Sequence, residues 1–121
     1  MGAVRYLVTD VDRAVAFYLG LGFVLDQQMG AAFARVSRDD LTLWLSGPQS
    51  SAARAMPDGR SPEPGGWNRF VIEVTDLSAT VTGLRAEGTV FRNDIVSGPG
   101  GRQILLDDPD GNPIELFEAR G

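Results

Sequence analysis

Hydrophobic and polar positions alternate near the start of the chain. Val4, Tyr6 and Val8 interleave with Ala3, Arg5 and Leu7, the two-residue period of a strand with unlike faces. From Asp10 the period changes. Val11, Ala14, Val15 and Tyr18 fall at the i, i+3, i+4, i+7 spacing of a helix with one buried stripe, Asp10 supplies an N-cap carboxylate, and Gly22 is placed to end the helix in a left-handed conformation. Three further strands are expected at about 23–28, 31–37 and 41–46, with Arg38-Asp39-Asp40 as the last turn. The order then repeats. Val8-Thr9-Asp10 returns as Val74-Thr75-Asp76, 66 positions later, and Gly22 returns as Gly88. Phe70, Ile72 and Val74 alternate with Arg69, Val71 and Glu73, and Asp76 caps a helix whose apolar stripe is Leu77, Val81 and Leu84. Strands are expected near 90–96, 103–107 and 114–118, separated by the turn sequences Gly98-Pro99-Gly100-Gly101 and Asp108-Pro109-Asp110-Gly111-Asn112-Pro113. The pattern is βαβββ, twice.

Between the repeats, residues 47–66 hold four of the seven prolines with much Gly, Ser and Ala and no sustained period. Such a linker suits a lid, an arm on a partner subunit, or a plain crossover. The organisation expected is a single domain over 1–121, with module one at 3–46, the linker at 47–66 and module two at 67–119. At 43% hydrophobic and 22% charged residues the 121-residue chain has globular balance. A formal charge of -5 disfavours nucleic acid as a partner and mildly favours a cationic ligand, although solubility alone also accounts for it. With no cysteine and no histidine, thiolate sites, disulfides and imidazole chemistry are excluded. No stretch approaches the roughly 20 apolar residues of a membrane helix, so a cytoplasmic location without membrane contact is the expectation.

Each repeat resembles the βαβββ module of the glyoxalase/bleomycin resistance/dioxygenase superfamily, also called vicinal oxygen chelate. The most specific pieces are the helix from Asp10 to Gly22 and the ending Asp108-Pro109-Asp110-Gly111-Asn112-Pro113-Ile114-Glu115-Leu116-Phe117. Pro64-Gly65-Gly66-Trp67-Asn68-Arg69 with Gly98-Pro99-Gly100-Gly101 looks like a common bacterial subgroup of glyoxalase-like proteins. The resemblance implies an α+β fold, two tandem βαβββ modules forming a curled mixed sheet around a concave cup. It also implies four metal-ligand positions, one near the start of the first strand and one on the last strand of each module. Counting back seven residues from Asp10 and Asp76 gives Ala3 and Arg69. The closing motif gives Glu115, and aligning its strand with Leu41-Thr42-Leu43-Trp44 gives Thr42. One carboxylate and one hydroxyl do not replace the three or four ligands of a catalytic metal site, so no metal and no other cofactor is expected. Arg69 is expected to take the cation's place in an ion pair with Glu115, the two heads within about 6 Å.

If Val4, Tyr6, Val8, Leu41, Leu43, Phe70, Ile72, Val74, Ile114 and Leu116 face the helices, alternation turns Arg5, Leu7, Thr42, Trp44, Arg69, Val71, Glu73, Glu115 and Phe117 into the cup. Phe33 and Arg35 share a parity that fits either surface, and Trp67 at the linker's end fits either a cap on the cup or an anchor for the linker. Two aromatics with two arginines and two glutamates suit a flat, partly polar ligand. Mutual packing of the rings and neutralisation of the charges is the competing explanation. The implied function is a metal-free protein that sequesters or carries an aromatic natural product such as an antibiotic, as the superfamily's bleomycin resistance proteins do. The alternatives are an enzyme (lyase, isomerase or dioxygenase) working at a degenerate metal site or by metal-free acid/base chemistry, and an interaction module whose cup is filled by a partner segment or by the linker at 47–66. A homodimer is expected, because open βαβββ modules leave sheet edges to cover.

Overall fold

Two aspartates start the two helices in the same way. In the computed structural model, which describes residues 2–120, strand β1 (Val4–Leu7) runs into helix α1 (Val11–Gly20), where Asp10 Oδ1 accepts from the Arg13 amide at 3.1 Å. In the second module β5 (Phe70–Glu73) runs into α2 (Leu77–Ala86), and Asp76 Oδ1 accepts from the Ala79 amide at 3.0 Å. The exits also match. Gly22 (φ 93°) and Gly88 (φ 85°) are left-handed, so the next amides, Phe23 and Thr89, turn back to the Tyr18 and Leu84 carbonyls. Every one of these pairs is 66 residues apart. The sequence repeat is a repeat of capping hydrogen bonds.

The chain forms two compact units that divide between Gly65 and Gly66. In the first, β2 (Val24–Met29), β3 (Phe33–Arg38) and β4 (Leu41–Ser46) complete an open sheet of order β1-β4-β3-β2, in which β1 is parallel to β4 and the other pairs are antiparallel. In the second, β6 (Val90–Phe91), β7 (Val96–Gly98), β8 (Gly101–Asp107) and β9 (Pro113–Ala119) join β5 in a sheet of order β5-β9-β8-β6, with β7 also on β8 and β5 parallel to β9. The fold is α+β, a tandem of two βαβββ modules with unclosed mixed sheets. The helix stripes and one face of each sheet make the cores: Val11, Ala14, Tyr18, Ala34, Val36, Leu43 and Leu45 in the first unit, and Leu77, Val81, Ile104, Leu106, Ile114 and Leu116 in the second. Strand β2 is exposed at every position, Val24 and Met29 included. Among the described residues no helix is long and apolar enough to cross a membrane.

One expectation needs correction, and the linker gains detail. The strand expected over 90–96 is broken into β6 and β7, because the Leu105 amide donates to the side-chain Oδ1 of Asn93 (2.9 Å) where an unbroken ladder would use a backbone carbonyl. Residues 47–66 are not wholly irregular. They contain a short 3-10 turn at Ser51–Ala53 and a bond from the Met56 amide to the Arg60 carbonyl, and almost all of them group with the first unit.

Glu118 fastens α2 to its sheet. Its Oε2 accepts from the Leu77 amide at the start of α2 (2.9 Å), while Oε1 accepts from Nε and Nη2 of Arg102 (3.1 and 2.9 Å). The Leu77 amide first, and Arg102 second, hold its carboxyl below the ordinary glutamate value. A depressed carboxylate contributes stability that is present above its unfolded pKa and is lost as pH falls through the folded one. Acidification from about pH 5 downward is therefore expected to lower the melting temperature of the parent more steeply than that of Glu118→Gln. Parallel slopes in melts across that range would remove Glu118 from the acid response.

Candidate functional site

Arg69 precedes β5 and Glu115 lies on β9, two places along the parallel ladder that pairs Val71 with Glu115. The diagonal brings the heads together. Nε and Nη2 of Arg69 lie 3.1 and 3.0 Å from Glu115 Oε1, so the ion pair expected from the sequence is present. The glutamate side chain is only 11% exposed and the arginine 30%, which shields the pair from water and salt more than a surface pair is shielded. Arg69 Nη1 also reaches the Trp67 carbonyl at 3.4 Å. A divalent metal does not fit this donor set: a guanidinium already covers the carboxylate, and no group of three His, Cys, Asp or Glu side chains stands ready among the described residues.

The register corrects the fourth ligand position. Val4 pairs with Leu43 and Arg5 with Trp44, while Phe70 pairs with Ile114 and Val71 with Glu115. Since Val4 and Arg5 correspond to Phe70 and Val71 across the 66-residue repeat, the counterpart of Glu115 in module one is Trp44, not Thr42. The same ladders make Ser46 the counterpart of Phe117. A shift of two residues leaves every side chain on its original face, so alternation cannot detect it, and only the hydrogen-bonded partner strand decides. The four positions thus read Ala3, Trp44, Arg69 and Glu115. An indole offers one N–H donor and no lone pair for a metal.

Trp44 is the centre of a cluster in module one. The Arg5 guanidinium lies over its ring, 5.0 Å from the centroid, and is steadied by a 2.9 Å bond from Nη1 to Ser46 Oγ. Phe33 meets the ring edge-on at 6.0 Å and 75°. Phe33 and Arg35 pair across the ladder with Ser46 and Trp44, which settles the face left open by parity: both share the face of Arg5 and Trp44, opposite buried Ala34 and Val36. Thr42 sits on this face one pair further along, half-buried opposite Ser37. The indole Nε1 is itself buried and finds no acceptor among the described residues. A buried donor left unpaired costs free energy that an acceptor on a ligand would restore.

The remaining candidates are placed differently. Phe117 is half-buried on β9 between its ladder neighbours Gln103 and Glu73, and Glu73 is exposed at the end of β5, its side chain without a described partner. Trp67 is 69% exposed, and the Arg92 guanidinium stacks on it at 4.7 Å while bonding to Asp107, the Gly66 carbonyl and the Gly111 carbonyl. Arg92 therefore fixes the first residues of module two, a role that no pattern in the sequence announces. Ser46 was equally silent, because its importance lies in which arginine it meets.

Against known proteins, the chain matches the family model described as "Glyoxalase/Bleomycin resistance protein/Dioxygenase superfamily" over residues 1–116. No curated protein matches it. Among solved structures it is similar to a member of that superfamily from Sphaerobacter thermophilus DSM 20745, with 27% identity, a TM-score of 0.72, and coverage of 98% of this chain and 97% of that one. It is similar to TnmS3, an antibiotic binding protein from Streptomyces sp. CB03234, with 26% identity, a TM-score of 0.71, and coverage of 99% and 97%. A lactoylglutathione lyase from Agrobacterium tumefaciens, at 22% identity, a TM-score of 0.74 and coverage of 98% and 92%, shares the fold.

Proposed function

Because the chain belongs to the glyoxalase/bleomycin resistance protein/dioxygenase superfamily, whose module hosts both metal enzymes and metal-free binding proteins, we propose that it is a binding protein that sequesters or carries an aromatic natural product, an antibiotic among the candidates. The Arg69 to Glu115 ion pair carries this reading, since it commits the one carboxylate at the four ligand positions to a guanidinium. Trp44 in place of a second acidic ligand points the same way. Equilibrium binding needs no nucleophile and no general base, and the chain has no Cys or His to serve as either. The likeness to an antibiotic binding protein lends support to the ligand class.

A thermal-shift screen against intercalating and glycopeptide antibiotics and other aromatic natural products tests the proposal. A ligand present at a hundred times its Kd stabilises by about 2.7 kcal/mol, a readily measured rise in melting temperature, and Trp44→Ala should abolish the rise. Elemental analysis of the purified protein gives the opposing result its chance. Stoichiometric divalent metal, lost in Glu115→Ala, would overturn the metal-free reading.

A further inference from the structure

The face of module one around Trp44 holds two arginines that form no ion pair among the described residues. Arg5 and Arg35 are the cross-strand neighbours of Trp44 on β1 and β3, one on each side. Arg5 donates to a neutral hydroxyl. The Arg35 side chain has no hydrogen bond, ion pair or ring contact among the described residues, and it lies on the face opposite buried Ala34 and Val36. Asp26, which occupies the bulge of β2 opposite Arg35, makes no ion pair with it. A chain of net charge -5 thus holds two arginines on either side of a half-buried indole with an unpaired N–H.

We infer that the ligand class is an aromatic anion, a ring bearing a carboxylate or an equivalent acidic group, rather than the cation that the overall charge favours. The inference rests on the proposed small-molecule binding role and names the chemistry of its ligand. The ring packs on Trp44 and Phe33, the anionic group meets the free guanidinium of Arg35 with Arg5 on the far side, and a ligand acceptor takes the Trp44 N–H. Contact outweighs net charge here. Exposed charges further apart than a Debye length of about 8 Å at physiological ionic strength are largely screened, whereas a guanidinium in contact with a carboxylate forms a charge-assisted and often bidentate pair.

Isothermal titration of the full chain with naphthalene-2-carboxylate, naphthalene-2-carboxamide and naphthalen-2-ylmethylammonium separates ring from charge. The carboxylate is expected to bind at least about tenfold more tightly than the amide, and the ammonium compound most weakly. Arg35→Gln should bring carboxylate and amide within about twofold of each other, while Arg35→Lys, which keeps the charge, retains part of the gap. Equal affinity for all three, unchanged in Arg35→Gln, overturns the anion inference and leaves the aromatic binding role standing. Tighter binding of the ammonium compound has the same effect. If none of the three binds and tryptophan fluorescence does not respond, the inference falls together with the binding role it rests on.

Discussion

Gly101→Ala is expected to cost about 2–4 kcal/mol and to lower the melting temperature by roughly 10 °C. Gly101 opens β8 at φ 153°, paired with Ala119 across the β8–β9 hairpin. A Cβ there would run into the Glu118 carbonyl oxygen and stand 3.1 Å from both the Ala119 Cα and the Arg120 amide. All three are backbone atoms, which cannot swing aside as the end of a side chain can. Relief would require opening the end of the hairpin. The Arg120 amide to Gly100 carbonyl bond would go with it, and so would the contacts of Arg102 with Glu118 that fasten α2. Gly100→Ala provides the control: its nearest neighbour would be Phe117 Cζ at 3.8 Å, ordinary contact, and its effect should stay within about 0.5 kcal/mol. Thermal and denaturant unfolding of the two variants gives the comparison. Equal stabilities would mean that the hairpin end yields without cost.

Helix starts and stops were legible because their causes are local. An aspartate side chain reaches an amide three residues on, and a glycine accepts a positive φ, so the residues themselves carry the signal. The break in strand 90–96 was illegible for the opposite reason: it depends on Asn93 meeting Leu105, a partner twelve residues away. The candidate site divides along the same line. Arg69 and Glu115 could be read from the 66-residue repeat and a closing motif, and their ion pair followed from opposite charge at facing positions. Trp44 as the counterpart of Glu115 could not, because Thr42 and Trp44 lie two residues apart on the same face of the last strand and only the parallel ladder with the first strand chooses between them. Alternation has a period of two residues and is blind to that choice. The sign of the charge around Trp44 was hidden as well, since net composition averages over faces and only the register shows that Arg5 and Arg35 flank one ring.

Arg69→Ala is expected to cost about 2–3 kcal/mol, well above the roughly 0–1 kcal/mol of an exposed ion pair. Removing the guanidinium leaves Glu115, 11% exposed and paired across the ladder with Leu105 and Val71, without the cation that its charge meets in the folded protein. A fully buried pair broken from one side would cost more, about 3–5 kcal/mol, but the 30% exposure of Arg69 lets water replace part of what is lost. The double variant Arg69→Met, Glu115→Leu removes both charges and should regain most of the stability, because apolar side chains of similar volume carry no desolvation penalty. A double-mutant cycle read from denaturant melts measures the coupling directly. The outcome bears on function as well as on stability. Strong coupling means that Glu115 already has its positive partner and that a metal would have to displace a guanidinium to reach it. If Arg69→Ala instead melts with the parent, Glu115 is satisfied by water and free to take a cation, and the metal-free binding role loses the observation that carries it.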